Sequence, residues 1–250
     1  MIRQLFRNTS LAVGFVLLVA SLAVLVGLVI LFCNKLVLPH YWRGKANQPG
    51  TFTLVVVGDS AAQGLGASRP DYSFVGLLTT RIEQETGQTV RIINLSRSGA
   101  TVRDALERQA PYLAAYDADL IVLEIGANDM KQYDGSTAEV FAKNYEQLLQ
   151  ILPPDKSIAV DLPVFGGRKN LTRRSDNANQ VIRKLATTYN VPVAPLYETL
   201  KQHQSPWIYA SDLFHPNNRG YRLWYDAIWQ AARPLVLDGI TERKLDTTQF

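Results

Sequence analysis

Cysteine is nearly missing from this 250-residue chain. Its one thiol, Cys33, excludes an intramolecular disulfide and a cysteine-based zinc site. A reducing compartment suits this, and so does an exported domain that needs no bridges. Histidine is scarce too, at three residues: His40, His203 and His215. Acidic residues are absent from positions 1–50, where Arg3, Arg7, Lys35, Arg43 and Lys45 stand. Removing those five from 26 basic residues leaves 21, against 22 acids over the remaining 200 positions. The net charge of +4 therefore belongs to the leader. The rest of the chain has no cationic excess that would mark a nucleic-acid partner.

Charge of either sign is also missing from Leu11 to Phe32, 22 residues. As a helix this stretch measures roughly 33 Å, enough for a hydrocarbon core of about 30 Å. A core helix of a soluble domain would carry a polar face, and this one has none. A cleaved signal peptide is the rival, since Ser21-Leu22-Ala23 offers a small-x-small site. Nine apolar residues follow it, however, where a cleaved peptide turns polar. Large residues before Cys33 make "LFCNK" a poor lipobox. The segment reads as a retained anchor. Arg3 and Arg7 are clustered on a very short tail, which favours a cytoplasmic N-terminus and an extracytoplasmic domain. Pro39, Gly44, Pro49 and Gly50 give 33–50 the character of a linker. The expected division is a tail at 1–10, an anchor at 11–32, a linker at 33–50, a domain at 51–236 and a tail at 237–250. Nothing in the sequence specifies an oligomeric state.

Beyond the linker, strand-like and helix-like patterns alternate. Thr53–Val57, Val90–Leu95, Leu120–Ile125, Ser157–Asp161 and Val191–Ala194 are short and rich in Val, Ile and Leu, as strands buried on both faces are. Residues 137–152 and 218–232 show helical periodicity. Pro111 is expected to break or restart a helix that begins near Thr101. This alternation predicts a parallel sheet with helices on both sides, and sites at the carboxyl ends of its strands.

Four short blocks fall at such places. Gly58-Asp59-Ser60 ends the first strand, followed by Ala61, Ala62, Gly64 and Gly66. It is neither a Walker loop nor a G-x-S-x-G elbow. Ser60 there is either a helix cap or a nucleophile. "NLSRSGAT" places Gly99 after the second strand, as a tight turn or a backbone donor. Gly126-Ala127-Asn128-Asp129 follows the third, with Asn128 a turn former or an amide donor. Glu124 reads as a structural carboxylate within the strand. Asp212-Leu213-Phe214-His215-Pro216 precedes the last helix, and of the three histidines His215 is the best candidate for a base. "PVFGGRKNLTRR", 163–174, reads as a basic loop over the sheet edge.

In this order the four blocks closely resemble the SGNH (GDSL) hydrolases, over about residues 53–235, and nearest their thioesterase/lysophospholipase branch. The resemblance implies a three-layer α/β/α fold with five parallel strands in flavodoxin-like order, behind the single N-terminal transmembrane helix. It implies ester or thioester hydrolysis with no metal or cofactor. It carries over Ser60 as nucleophile, with His215 and Asp212 completing a triad. The Ser60 and Gly99 backbone N–H groups and the Asn128 amide become the oxyanion hole. The implied substrate is a small acyl ester, with lysophospholipids and acyl thioesters foremost. A carbohydrate O-acetylesterase of the envelope and a non-catalytic module for acylated ligands are the alternatives.

Overall fold

The computed structural model describes residues 2–135 and 137–247, with side chains described over 13–135 and 137–239. Five runs pair into one parallel sheet: β1 (Phe52–Gly58), β2 (Val90–Asn94), β3 (Leu120–Glu124), β4 (Ser157–Val160) and β5 (Val193–Ala194). Their spatial order is β2-β1-β3-β4-β5, the flavodoxin-like order. Leu54 lies in register between Ile92 and Leu120, and Val56 between Asn94 and Val122. Successive strand residues point to opposite faces. Leu54, Val56, Leu120, Val122 and Ile158 enter one apolar layer, while Val55, Val57, Ile121, Leu123 and Ala159 enter the other. Both faces are covered, so the strands read as unbroken apolar runs.

The helices are α1 (Ile2–Ala46), α2 (Phe74–Thr86), α3 (Val102–Arg108), α4 (Ala138–Ile151), α5 (Lys169–Thr188), α6 (Leu196–Gln202) and α7 (Asn218–Thr247). The first layer is built by α2, α6, α7 and the end of α1, and the second by α3, α4 and α5. Local chemistry sets several boundaries. Ser73 caps α2 by accepting from Gly76 N–H, and Gly87 ends it at φ +68°. Thr101 and Asp104 close a reciprocal capping box on α3. Pro111 sits at the start of a 3-10 helix, Ala110–Ala115, after α3 has ended, as expected of a helix breaker.

Three segments are more regular than their composition suggests. The linker of 33–50 is helical as far as Ala46, so α1 is one helix with Pro39 inside it. Pro39 removes one backbone donor, but tertiary contacts hold the helix on. Leu38 and Trp42 are buried in the first layer. The Trp42 indole donates to Gln63 O at 2.9 Å, and Arg91 Nε donates to Ala46 O at 3.1 Å. The C-terminal tail is helical through Thr247, continuing α7; residues 248–250 lie outside the described residues. The basic stretch at 163–174 enters α5 at Lys169, and Arg174 is spent on Met130 O and Lys131 O, each at 2.9 Å. Among the described residues one helix, Val13–Ala46, is long and apolar enough to cross a membrane.

A single side chain fixes the end of β1. Gln109, fully buried, accepts from Gly58 N–H and donates to Gly58 O, both at 2.9 Å. Gly58 itself has no room for a side chain, since a Cβ would stand 2.5 Å from Glu124 O and from Ala62 Cβ. Replacing Gln109 by Ala takes the side-chain acceptor from the buried Gly58 N–H, while Gly58 O keeps the Arg97 N–H at 3.1 Å. Gln109→Ala is expected to lower the unfolding free energy by about 1–3 kcal/mol, read by denaturant titration. A loss below half a kcal/mol, on the order of ordinary surface changes, would show that the clamp is dispensable.

Candidate active site

β1 delivers the first block to the carboxyl edge of the sheet. Beyond Gly58 the chain makes a run of turns through Gly66 instead of starting a helix, so Ser60 has no helix to cap. The Asp59 carboxylate accepts from Ala61 N–H at 2.9 Å and sharpens the first turn. Glu124, buried at the end of β3, faces the backbone of Asp59 and Ala62, and its Oε2 has no hydrogen-bond partner. Ser60 is thereby held with its hydroxyl facing the cleft.

The fourth block approaches from the last loop. Asp212 Oδ1 accepts from the backbone N–H of Phe214 and of His215, each at 3.0 Å, which folds the segment into a tight hook. Leu213 takes φ +51° at its apex. Such a conformation is uncommon for a side-chain-bearing residue, and it is held here by its neighbours. The hook places His215 Nδ1 at 2.5 Å from Asp212 Oδ2 and His215 Nε2 at 2.8 Å from Ser60 Oγ. Gly66, at φ +99°, makes this approach possible, because a Cβ there would run into Pro216 O and the His215 side chain. Tyr221 of α7 closes the same joint with its hydroxyl on Leu65 O at 2.7 Å. The other histidines bond locally, His40 to Leu36 O and His203 to Thr199 O.

The second and third blocks complete the rim. Gly99 adopts φ +85° with open space where a side chain would be. Its loop is pinned by Gln63, which donates to Ser96 O at 2.9 Å and accepts from Ser98 Oγ at 2.7 Å. Asn128 lies beside Ser60, but its amide nitrogen is engaged: it donates to Ala100 O at 3.0 Å and to Asp59 Oδ2 at 3.2 Å. Its carbonyl oxygen accepts from Lys131 Nζ at 2.9 Å. Asp129 accepts from Val102 N–H at 3.0 Å and so secures the start of α3.

All five expected residues, Ser60, Gly99, Asn128, Asp212 and His215, line one cleft of about 400 Å³. Leu65, Lys131, Arg168 and Phe214 join them, as do Leu31, Phe32 and Lys35 from α1. The α1 contribution was outside the sequence reading. So were Gln63, Gln109 and Tyr221, which carry no motif of their own.

Electrostatics separate the carboxylates by role. Burial pushes Asp59 up to about 6, although the Ala61 N–H and the nearby His215 oppose it. Burial also raises Asp129 to about 6. Glu124 is raised well above the carboxylate range, first by burial and then by neighbouring Asp59. Asp212 differs. Burial works against its charge, but the hydrogen bond and charge of His215, with two backbone donors, outweigh this and hold it low. Asp212 is thus the anion set against the imidazole. Among the described residues no group of three or more His, Cys, Asp or Glu side chains is arranged to hold a metal.

The blocks and the fold agree with known proteins. The chain is 28% identical to an arylesterase of Vibrio mimicus over 163 residues, 65% of this chain and 79% of that protein. It is 39% identical to the esterase TesA of Pseudomonas aeruginosa over 82 residues, 33% of this chain and 40% of that one. The crystal structure of a lipase/acylhydrolase from Enterococcus faecalis superposes with a TM-score of 0.63 at 23% identity, covering 74% of this chain and 96% of that one. A model of the GDSL-like lipase/acylhydrolase family matches residues 56–223, which contain all four blocks. The chain belongs to that family, and it is an ester-hydrolysing enzyme.

Proposed function

We propose that the protein is a membrane-anchored serine esterase that cleaves carboxylic esters or thioesters through an acyl-enzyme on Ser60. The observation that carries this reading is the line of two short contacts from Ser60 Oγ through the His215 ring to Asp212. A serine hydroxyl is a weak nucleophile at neutral pH and needs a base within hydrogen-bonding reach. His215 Nε2 takes the hydroxyl proton as Oγ attacks the carbonyl carbon. Asp212, ionised and bonded to Nδ1, sets the tautomer and stabilises the imidazolium. The imidazolium then protonates the departing alcohol or thiol. Water, deprotonated by the same nitrogen, attacks the acyl carbon and releases the acid.

The charge that develops on the carbonyl oxygen needs donors. The Ser60 and Gly99 N–H groups and the Asn128 amide are assigned to it. The amide can turn one hydrogen toward the oxyanion by giving up its longer bond, the 3.2 Å contact with Asp59. The anchor reading rests on the uncharged, solvent-facing stretch of α1, Val13–Val26. The flanking charges favour an extracytoplasmic domain. The acyl substrate is assigned to amphiphiles, lysophospholipids and acyl thioesters among them, because such molecules collect at a membrane surface.

Turnover of p-nitrophenyl acetate, butyrate and longer esters by the full chain in detergent tests the reading. Ser60→Ala and His215→Ala are each expected to abolish turnover while circular dichroism stays unchanged. Near-wild-type rates in the His215 variant, or no wild-type turnover above the Ser60→Ala background, would refute it. Asn128→Ala is expected to lower kcat by about 10²–10³-fold with little change in KM, as loss of one oxyanion donor does. An unaltered kcat would remove Asn128 from the oxyanion site. Acetylated sugars outcompeting every lipid ester would move the substrate to envelope glycans.

A further inference from the structure

The cleft has one wall that the anchor reading does not explain. Leu31, Phe32 and Lys35 belong to α1, yet they line the cavity that holds Ser60. Leu31 and Lys35 are one turn apart and Lys35 follows Phe32 by three, so all three share one side of the helix. Leu31 is buried against the domain, while Phe32 remains 65% exposed at the mouth. The helix is fixed there by close packing. Gly27 lies so near Ser211, the neighbour of Asp212, that a Cβ would overlap its side chain.

The position along α1 matters. Phe32 ends the apolar stretch that begins at Leu11, and Lys35, after Cys33 and Asn34, is the first charge beyond it. If that stretch fills the hydrocarbon core, of about 30 Å, Leu31 to Lys35 cross the boundary between acyl chains and headgroups. Ser60 then opens at that boundary. Two exposed apolar side chains fit this placement. Trp207, 74% exposed, borders a second cavity with Gly27, Ile30, Leu31 and Asn34. Leu213, 53% exposed, projects from the hook that holds His215.

The charge of the cleft is also one-sided. Lys35, Lys131 and Arg168 line it, whereas its one acid, Asp212, is paired with His215. Lys131 and Arg168 both flank the Phe214 ring, at 5.7 and 5.1 Å from its centroid. Apolar surface thus lies beside cations within one small cavity, the complement of an anionic amphiphile.

Building on the esterase reading, we propose that α1 is part of the substrate site and not only a tether. The cleft takes a phosphate-bearing lipid ester sideways from the leaflet. The acyl chain runs along Leu31 and Phe32, and the phosphate meets Lys35, Lys131 and Arg168. The full-length protein in vesicles of dialkyl-ether phosphatidylcholine, which has no ester, provides the test. Fatty acid release is measured from monooleoyl phosphatidylglycerol and from uncharged monooleoylglycerol, with p-nitrophenyl acetate as the soluble reference.

Lys35→Glu is expected to lower the anionic-to-uncharged lipid rate ratio by about tenfold, the size of one lost charge-assisted contact. Phe32→Ala is expected to lower both lipid rates relative to acetate. Leu18→Ala, on α1 away from the cleft, should leave every ratio unchanged. Unchanged ratios in both cleft-wall variants would overturn the proposal. So would acetate turnover without release from either lipid, although the esterase reading would then survive. Absence of any wild-type turnover would remove both.

Discussion

The contact between Ser60 Oγ and His215 Nε2, 2.8 Å long and 155 residues apart in the chain, is what the rest of the site depends on. In the proposed mechanism neither group has the required reactivity alone: the hydroxyl needs a base, and the imidazole needs Asp212 on Nδ1 to fix its tautomer. The contact joins a turn after the first strand to a loop before the last helix. Such a long closure has to be secured by many small bonds. Asn218 bonds Ser68 through both its amide oxygen and its amide nitrogen, each at 2.8 Å. Tyr221 reaches the Leu65 carbonyl, and Gly66 leaves the space that the His215 loop fills. The first turn of α7 is therefore as much a part of the candidate site as the loop that carries the histidine.

The sheet edge also contains a layer of buried polar side chains whose function is positional. Gln109 holds Gly58, Glu124 holds the Asp59 turn, and Gln63 links the Ser60 loop to the Gly99 loop and to Trp42 of α1. Burying such groups is costly unless each finds a partner. The amides of Gln63 and Gln109 are paired and leave the backbone few alternatives, whereas Glu124 keeps one buried carboxylate oxygen without a partner. Through its carbonyl, Gln63 also couples α1 to the edge of the sheet that carries Ser60.

Much of the fold was legible from local pattern. Strands buried on both faces leave apolar runs, and the five runs fell within a few residues of β1 to β5. The four blocks were legible because their chemistry demands unusual residues at strand ends. Gly58, Gly99 and His215-Pro216 stand out from a chain of ordinary helices and strands. What stayed hidden was tertiary. Pro39 and Gly44 are local signals of a break, but they were overruled by the burial of Leu38 and Trp42, which no local window reveals. Gln63, Gln109 and Tyr221 look like any polar or aromatic residue until the fold brings them to their partners. Lys35 was readable only as a flank of the apolar segment, since its place at the cleft depends on how α1 lies on the domain.

Whether Ser60 carries the acyl group in mid-reaction is the most direct question to ask of this account. Protein quenched in acid during steady turnover of a slow ester, then digested and mapped by mass spectrometry, answers it. The account predicts an acyl adduct confined to the peptide that contains Ser60. An adduct on another side chain, or continued turnover with the Ser60 peptide unmodified under conditions where release of the acyl group is rate-limiting, would contradict it.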